Sequence, residues 1–185
     1  PTRVTHNDTK LNNVLLCKDS GDPACVIDLD TVMPGSSLYD FGDMMRTATC
    51  FASEDERNLD KIKVEMPIFE AITRGYLAIA REFLVQREIE LLAFSGQLIT
   101  YEIGVRFLTD HLQGDPYFKI HRDNHNLDRA RAQFKLVEQF AAHHDEMQAI
   151  VRESFANGVQ TSFKVIAIVA VAGFLVAVFD LGRTP

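Results

Sequence analysis

The fold is decided by the stretch Thr5-His6-Asn7-Asp8-Thr9-Lys10-Leu11-Asn12-Asn13-Val14-Leu15-Leu16 together with Ala24-Cys25-Val26-Ile27-Asp28-Leu29-Asp30. Each contains a short apolar run, and the second run is β-branched at its end. Residues 18–23, which include a glycine and a proline, form a turn signal between the two runs. This pattern predicts a β-hairpin. The polar residues before the first strand and the acids after the second strand should therefore converge.

From Leu38 onward the sequence is typical of helices. Apolar residues recur at helical spacing, and proline and glycine clusters separate the segments. The predicted helices are one that begins at Leu38–Met45, a pair within Asn58–Leu84 that is broken near Pro67, one at Glu88–His111, and one from Leu127 to about Ala156. In the second of the paired helices, a buried stripe is predicted at Ile68, Ile72, Tyr76 and Ile79. Turns are predicted at Pro34–Ser37 and Gly114–Pro116. We therefore expect an α+β fold that is mostly α, occupying residues 1–156.

Composition excludes several classes of function. The 185-residue chain has a formal net charge of -7 and a pI of about 5.3, so it lacks the basic surface that a general nucleic-acid binder needs. Its three cysteines, Cys17, Cys25 and Cys50, form neither a disulfide framework nor a CxxC zinc motif. Reduced thiols indicate a cytoplasmic protein.

The two ends of the chain raise separate expectations. The sequence starts at Pro1 without a methionine or a signal peptide, which indicates a chain cut from something longer. Residues 157–185 form an apolar tail in which Val165–Phe179 carries no charge. Fifteen such residues are between the length of a buried segment and that of a membrane span. The tail is thus either a truncated transmembrane helix or a non-native or buried extension, and membrane contact is expected only through residues 165–179.

The residues at the base of the predicted hairpin suit metal-assisted phosphoryl transfer. One carboxylate is needed beside the attacking hydroxyl, to orient it and accept its proton. A second carboxylate and an amide oxygen are needed to hold magnesium on nucleotide phosphates, because this hard cation prefers oxygen ligands. Asp8 and Asn13 before the first strand and Asp28 after the second supply this set.

These motifs resemble those of a known superfamily. The segment Thr5–Leu15 resembles the catalytic loop of the aminoglycoside phosphotransferase-like and choline kinase-like small-molecule kinases, and Val26–Thr31 resembles their metal-binding loop. Tyr39–Asp43 is similar to the acidic motif that follows. The resemblance covers roughly Thr2 to Glu153. Within the superfamily the sequence is most similar to the N-acetylhexosamine 1-kinase branch, through Val32–Gly35, Gly104–Asp110, Tyr117–Lys119 and Asn126–Arg131.

The resemblance implies a protein-kinase-like C-terminal lobe without its N-terminal nucleotide lobe. It implies roles for seven residues: Asp8 as catalytic base; Asn13 and Asp28 as magnesium ligands; Asp30 and Arg106 as substrate-binding residues; His6 and Asp40 as structural support for the catalytic loop. The implied cofactors are Mg²⁺ and ATP as co-substrate, and the implied acceptor is the anomeric hydroxyl of an N-acetylhexosamine.

Other interpretations remain open at this stage. An aminoglycoside or choline-type acceptor is the alternative within the enzyme class, because an acidic lobe also suits a cationic substrate. The chain is otherwise a non-catalytic fragment that binds a sugar or a partner, and as a fragment it should show negligible kinase activity alone. Taken singly, Asp8 and Asn13 are also common turn or cap residues, and Arg106 is a common surface cation.

Overall fold

The structure is a computed structural model that describes residues 1–157. Four short strands precede a set of helices. They are β1 (Arg3–Thr5), β2 (Val14–Leu16), β3 (Pro23–Val26), β4 (Met33–Gly35), α1 (Ser37–Ala48), α2 (Met66–Ala80), α3 (Gln86–Leu112), α4 (His125–Ala142) and α5, which is helical from residue 144 to residue 157. The predicted α+β, mostly α fold is therefore confirmed. The expected tail, including the apolar run at 165–179, lies outside the described residues apart from Asn157.

The predicted hairpin is present as the antiparallel pair β2–β3, in which Val14 lies opposite Val26. A second antiparallel pair, β1–β4, was not predicted, and the turn predicted at Pro34–Ser37 is wrong for Pro34 and Gly35, which belong to β4. Pro34 lies opposite Val4 in this pair. Because the pair has only two strands, both are edges, and an edge strand tolerates a proline.

Helix α1 packs closely against α3. The side chain of Ser36 caps α1 by accepting a hydrogen bond from the Leu38 amide, as expected for a serine at this position. At Gly42 the two helices approach so closely that an added Cβ would lie 2.5 Å from the Ser95 carbonyl oxygen. The fully buried Phe41 and Met45 of α1 continue this contact into the core.

The segment 58–84 contains one α-helix rather than the predicted pair. Residues 59–61 form a single 3-10 turn, and α2 follows with Pro67 in its first turn, where a proline costs no hydrogen bond. The buried stripe of α2 is Phe69, Thr73, Leu77 and Ala80, one position from the predicted set. Ile79, predicted to be buried, is 71% exposed. Helical periodicity alone does not settle which of two adjacent apolar rows faces the core.

The last predicted helix is interrupted at His143. Helix α4 ends at Ala142, and α5 begins at residue 144 after a turn at His143. Met147 and Val151 of α5 are fully buried in the core. Among the described residues, none of the helices has the length and apolar character needed to cross a membrane.

Candidate active site

Asp40 of α1 holds the loop that carries Asp8 in place through hydrogen bonds. The Asp40 carboxylate accepts hydrogen bonds from the backbone amides of His6 (2.9 Å) and Asn7 (2.7 Å). The backbone carbonyl oxygen of Asp40 accepts a further hydrogen bond from the Thr9 hydroxyl (2.5 Å). Asp40 lies in the first turn of α1, where a carboxylate also interacts favourably with the helix dipole. One side chain therefore fixes two successive peptide groups immediately before Asp8.

The strand that leads into this loop is anchored by a buried carboxylate. Arg3 of β1 donates to Glu88 of α3 through Nε (3.1 Å) and through a terminal nitrogen (2.7 Å). Glu88 also accepts hydrogen bonds from the Ser37 hydroxyl (2.8 Å) and the Val85 amide (2.9 Å). The Arg3 interaction is the main reason that the pKa of Glu88 falls to about 2, despite the opposing effect of burial. Helix α3 and the start of α1 thus position β1.

Asp8 is paired with two donors. The Asn13 side-chain amide donates to Asp8 Oδ2 (2.9 Å) and to the Asp8 carbonyl oxygen (2.8 Å), and Lys10 Nζ lies 2.6 Å from the same Oδ2. Partial burial raises the pKa of Asp8, but the hydrogen bonds from Lys10 and Asn13 outweigh it and hold the pKa below its usual value. Asp8 is therefore ionised near neutral pH and can accept a hydrogen bond from a hydroxyl.

His6 connects the two halves of the site. Its Nδ1 accepts from the Asp8 amide (3.3 Å), so the proton is assigned to Nε2, which donates to the Ile27 carbonyl oxygen (3.0 Å). The Ile27 amide donates in turn to the Asn13 carbonyl oxygen (2.9 Å). Asp28 therefore directly follows the residue that is hydrogen-bonded to Asn13 at the base of the hairpin, and His6 joins this end of the hairpin to the loop that carries Asp8.

The donor atoms at this base fit a magnesium ion shared with phosphates. The side-chain amide nitrogen of Asn13 donates a hydrogen bond to Asp8, which leaves the side-chain amide oxygen available to a metal. Asp28 adopts a left-handed conformation (φ 64°), which aspartate tolerates, and its carboxylate makes no hydrogen bond within residues 1–157. Over the same residues no group of three or more His, Cys, Asp and Glu side chains is placed to hold a metal. Two protein oxygens would therefore need phosphate or water as further ligands.

A cavity of about 400 Å³ opens beside Asp8, between the loop, α1 and α3. Arg106 of α3, for which the resemblance implied a substrate-binding role, lines this cavity. The guanidinium stacks 5.4 Å from the ring centre of Phe118 and 5.9 Å from that of Tyr117. Asp110 accepts hydrogen bonds from the amides of both aromatic residues (2.9 and 2.8 Å) and so fixes them under the arginine. The structure thus brings Asp8 and Arg106 to one cavity.

Asp30, the other residue expected to bind substrate, does not line this cavity. It is exposed in the 3-10 turn after Asp28 and makes no hydrogen bond within residues 1–157. Sequence reasoning also missed residues that the structure places here: Lys10, Tyr39, Asp43, Arg46 and Glu102. Lys10 had a local signal, since it follows Asp8 by two residues. The others reach the cavity from α1 and α3, and only the packing of those helices reveals them.

Comparison with protein-family models supports part of this interpretation. Residues 1–74 match the model of the phosphotransferase enzyme family. The matched part contains β1–β4, the Asp8 loop, Asp28 and Asp40, and ends within α2. The match therefore supports a relationship of this chain to the aminoglycoside phosphotransferase-like kinase superfamily. It supports a kinase-type enzyme at this general level.

Proposed function

We propose that this chain is the catalytic lobe of an ATP- and Mg²⁺-dependent kinase that phosphorylates a hydroxyl group of a small molecule. The observation that carries the proposal is the hydrogen bond from Asn13 to Asp8 at the base of the hairpin, beside Asp28. This bond joins a carboxylate to an amide just before the first strand of the hairpin, and Asp28 supplies a second carboxylate just after its second strand. The family match over residues 1–74 supports the same class of chemistry.

Each residue has a separate task in this proposal. Asp8, ionised and held by Lys10, orients the acceptor hydroxyl that enters the adjoining cavity and takes its proton. The Asn13 amide oxygen and the Asp28 carboxylate hold the ion. When bound, magnesium neutralises charge on the phosphates during transfer. His6 and Asp40 position the loop through its backbone, and they do not touch the reacting atoms.

We further propose an N-acetylhexosamine, phosphorylated at its anomeric hydroxyl, as the acceptor. The support is the resemblance to that branch of kinases, together with the cavity that Arg106 lines beside Asp8. About 400 Å³ is within the range of ordinary small-molecule sites. Arg106 has donors suited to hydroxyl and amide oxygens of a sugar. Asp30 is exposed and follows Asp28 by two residues, so it would contact the acceptor only from the rim of the cavity.

A cationic acceptor of the aminoglycoside or choline type is the second candidate. The observation that favours it is the presence of Asp43 and Glu102 in the lining of the same cavity as Asp8. Asp43 is paired with Arg46 (2.9 Å), which cancels part of its charge. Glu102 is exposed and makes no hydrogen bond within the described residues, so its charge remains available. A positively charged ring or ammonium group would be attracted to this side of the cavity.

The test joins the chain to the nucleotide-binding lobe of a related kinase and measures ATP consumption with N-acetylglucosamine, an aminoglycoside and choline. We expect turnover with the N-acetylhexosamine and a loss of about 100-fold or more in kcat for Asp8→Asn, because the hydroxyl loses its proton acceptor. Asp22→Asn, an exposed acid in the hairpin turn, is the matched control and should keep full activity.

Three outcomes separate the interpretations. Turnover only with the aminoglycoside or choline would keep the kinase and discard the sugar. A folded chimera that binds ATP but turns over none of the acceptors would favour the non-catalytic fragment. Full activity of Asp8→Asn would contradict the assigned chemistry. The 185-residue chain by itself is expected to show negligible turnover.

A further inference from the structure

The wall of the cavity beside Asp8 contains a carboxylate of which only one oxygen has a partner. Asp43 of α1 is 7% exposed, and its Oδ1 lies 3.0 Å from Nε and 2.9 Å from a terminal nitrogen of Arg46. Its Oδ2 is buried and has no hydrogen-bond partner within residues 1–157. A buried charged oxygen without a donor destabilises a protein, and such groups are rare. A donor that enters the cavity would remove this cost.

Arg46 supplies the opposite kind of group in the same wall. It lines the cavity with a side chain that is 11% exposed, and its other terminal nitrogen donates to Glu54 at 3.3 Å. A guanidinium has five N–H groups, so two of them make no contact in the part of the chain that the structure describes. Asp43 and Arg46 therefore offer an acceptor and donors side by side, and their opposite charges largely cancel.

This pair favours a neutral ligand group that both donates and accepts hydrogen bonds. A secondary amide does so through separate atoms, so it can bond to Asp43 and to Arg46 at the same time. A hydroxyl donates and accepts through one atom, and an ammonium group only donates. Ile99 and Ile103 line the same cavity and provide apolar surface for a methyl group attached to such an amide.

The pair also lies close to the proposed proton acceptor. Asp8 and Asp43 line one cavity. The hydrogen bond from Lys10 to Asp8 is the main reason that the pKa of Lys10 is raised, and the charge of Asp43 adds to this effect, so Asp43 lies near the same amine. In an N-acetylhexosamine the acetamido group is on C2, directly beside the anomeric carbon C1. A sugar with its anomeric hydroxyl at Asp8 therefore has its acetamido group as the nearest substituent.

We infer that Asp43 and Arg46 form the subsite for the acetamido group of the acceptor, whose N–H donates to Asp43 Oδ2 and whose carbonyl oxygen accepts from the Arg46 guanidinium. Rotation of a carboxyl about its last bond is easy, so Asp43 can turn its unpartnered oxygen to the cavity and keep its contact with Arg46. The inference rests on the proposed function, because it takes a sugar with its anomeric hydroxyl at Asp8. It assigns to this pair the choice between an N-acetylhexosamine and the parent hexose.

The experiment measures the binding of three sugars that differ only at C2 to the 185-residue chain: N-acetylglucosamine, glucose, and glucosamine in its ammonium form. We expect N-acetylglucosamine to bind at least about 10-fold more tightly than either of the others, because it gains hydrogen bonds to charged groups. Asp43→Asn should reduce this preference to below about 3-fold and leave glucose binding almost unchanged. The asparagine oxygen is needed by Arg46, so its NH2 group would face the N–H of the ligand.

Glu54→Gln is the matched control. It removes the other carboxylate that contacts Arg46, but Glu54 does not line the cavity beside Asp8, so the preference should remain. Urea unfolding checks that the variants fold. Arg46→Lys keeps the positive charge beside Asp43 but lacks the planar set of donors, and it should also lower the preference. It therefore provides the test if Asp43→Asn does not fold.

The outcomes separate this inference from the proposed function. Equal binding of the three sugars to the natural chain would leave a sugar site but overturn the acetamido subsite. Tightest binding of glucosamine would also overturn it, and would assign Asp43 to a cationic group. A preference that survives both Asp43→Asn and Arg46→Lys, or one that is lost equally in Glu54→Gln, would do the same. Binding of none of the sugars would instead contradict the proposed N-acetylhexosamine acceptor, and the inference with it.

Discussion

The anchor of β1 provides the sharpest stability test. Glu88 is 4% exposed, and three groups donate hydrogen bonds to it: the Arg3 guanidinium, the Ser37 hydroxyl and the Val85 amide. Glu88→Gln keeps the shape of the side chain but removes its charge. It also replaces one acceptor oxygen with a donor that faces other donors. We expect the free energy of unfolding at neutral pH to fall, and the strand before the Asp8 loop to loosen.

The magnitude follows from the pKa. A carboxyl whose pKa falls from 4.5 to about 2 on folding corresponds to roughly 3 kcal/mol of stabilisation by its ionised form. Arg3, its main partner, keeps 22% of its side chain exposed, so solvent screening reduces the expected effect to about 2 kcal/mol. Glu90→Gln is the matched control on the same helix. Its side chain is 46% exposed, pairs with Arg87 at 3.2 Å and accepts a hydrogen bond from the Gln86 side chain at 3.3 Å, so a change below about 0.5 kcal/mol is expected.

The pH dependence gives an independent check. Because the folded pKa of Glu88 is depressed, its contribution is fully present above about pH 4.5 and is lost as the pH falls towards about 2. Urea unfolding followed by circular dichroism should therefore show the difference between natural protein and Glu88→Gln shrinking by roughly 1 kcal/mol between about pH 6 and about pH 3.5. A difference that stays constant over this range would refute the assignment of the stabilisation to the ionised carboxylate.

Two further predictions concern helix packing and a surface thiol. Gly42→Ala should lower the free energy of unfolding by roughly 1–3 kcal/mol, because its Cβ would lie 2.5 Å from the Ser95 carbonyl oxygen. Gly75→Ala in α2, where a Cβ meets no atom within 4 Å, should raise stability by up to about 1 kcal/mol, and urea unfolding of both variants compares the two sites. Hydrogen bonds from the Ser20 backbone and hydroxyl and from the Asp19 backbone lower the pKa of the exposed Cys17 to about 7. Iodoacetamide should therefore modify Cys17 with a rate that rises through a midpoint near that pH, and a midpoint above about pH 8 would contradict it.

The β2–β3 hairpin and the polar residues of the loop that carries Asp8 were predictable because their sequence signals are local. Two apolar runs, a turn and the polar residues around them fall within some thirty residues of sequence, so β2–β3 follows from the order of residues alone. Asp8, Asn13 and Asp28 come together for the same reason, since hairpin pairing brings the residues before one strand to those after the other. The pairing of β1 with β4 was missed, because the two strands lie about thirty residues apart in the sequence and Pro34 and Gly35 are typical turn residues.

What the sequence by itself determined is the chemistry available at the loop and the helical character of the rest. Tertiary structure alone decided which face of each helix is buried and which distant side chains reach Asp8. The stripe of α2 differs by one residue from the periodic prediction, and α3 has two apolar faces of which the core uses one. Asp43 and Arg106 enter the same cavity only because α1 and α3 pack at Gly42. Periodicity shows that a helix has an apolar side, but burial depends on the neighbours that the fold supplies.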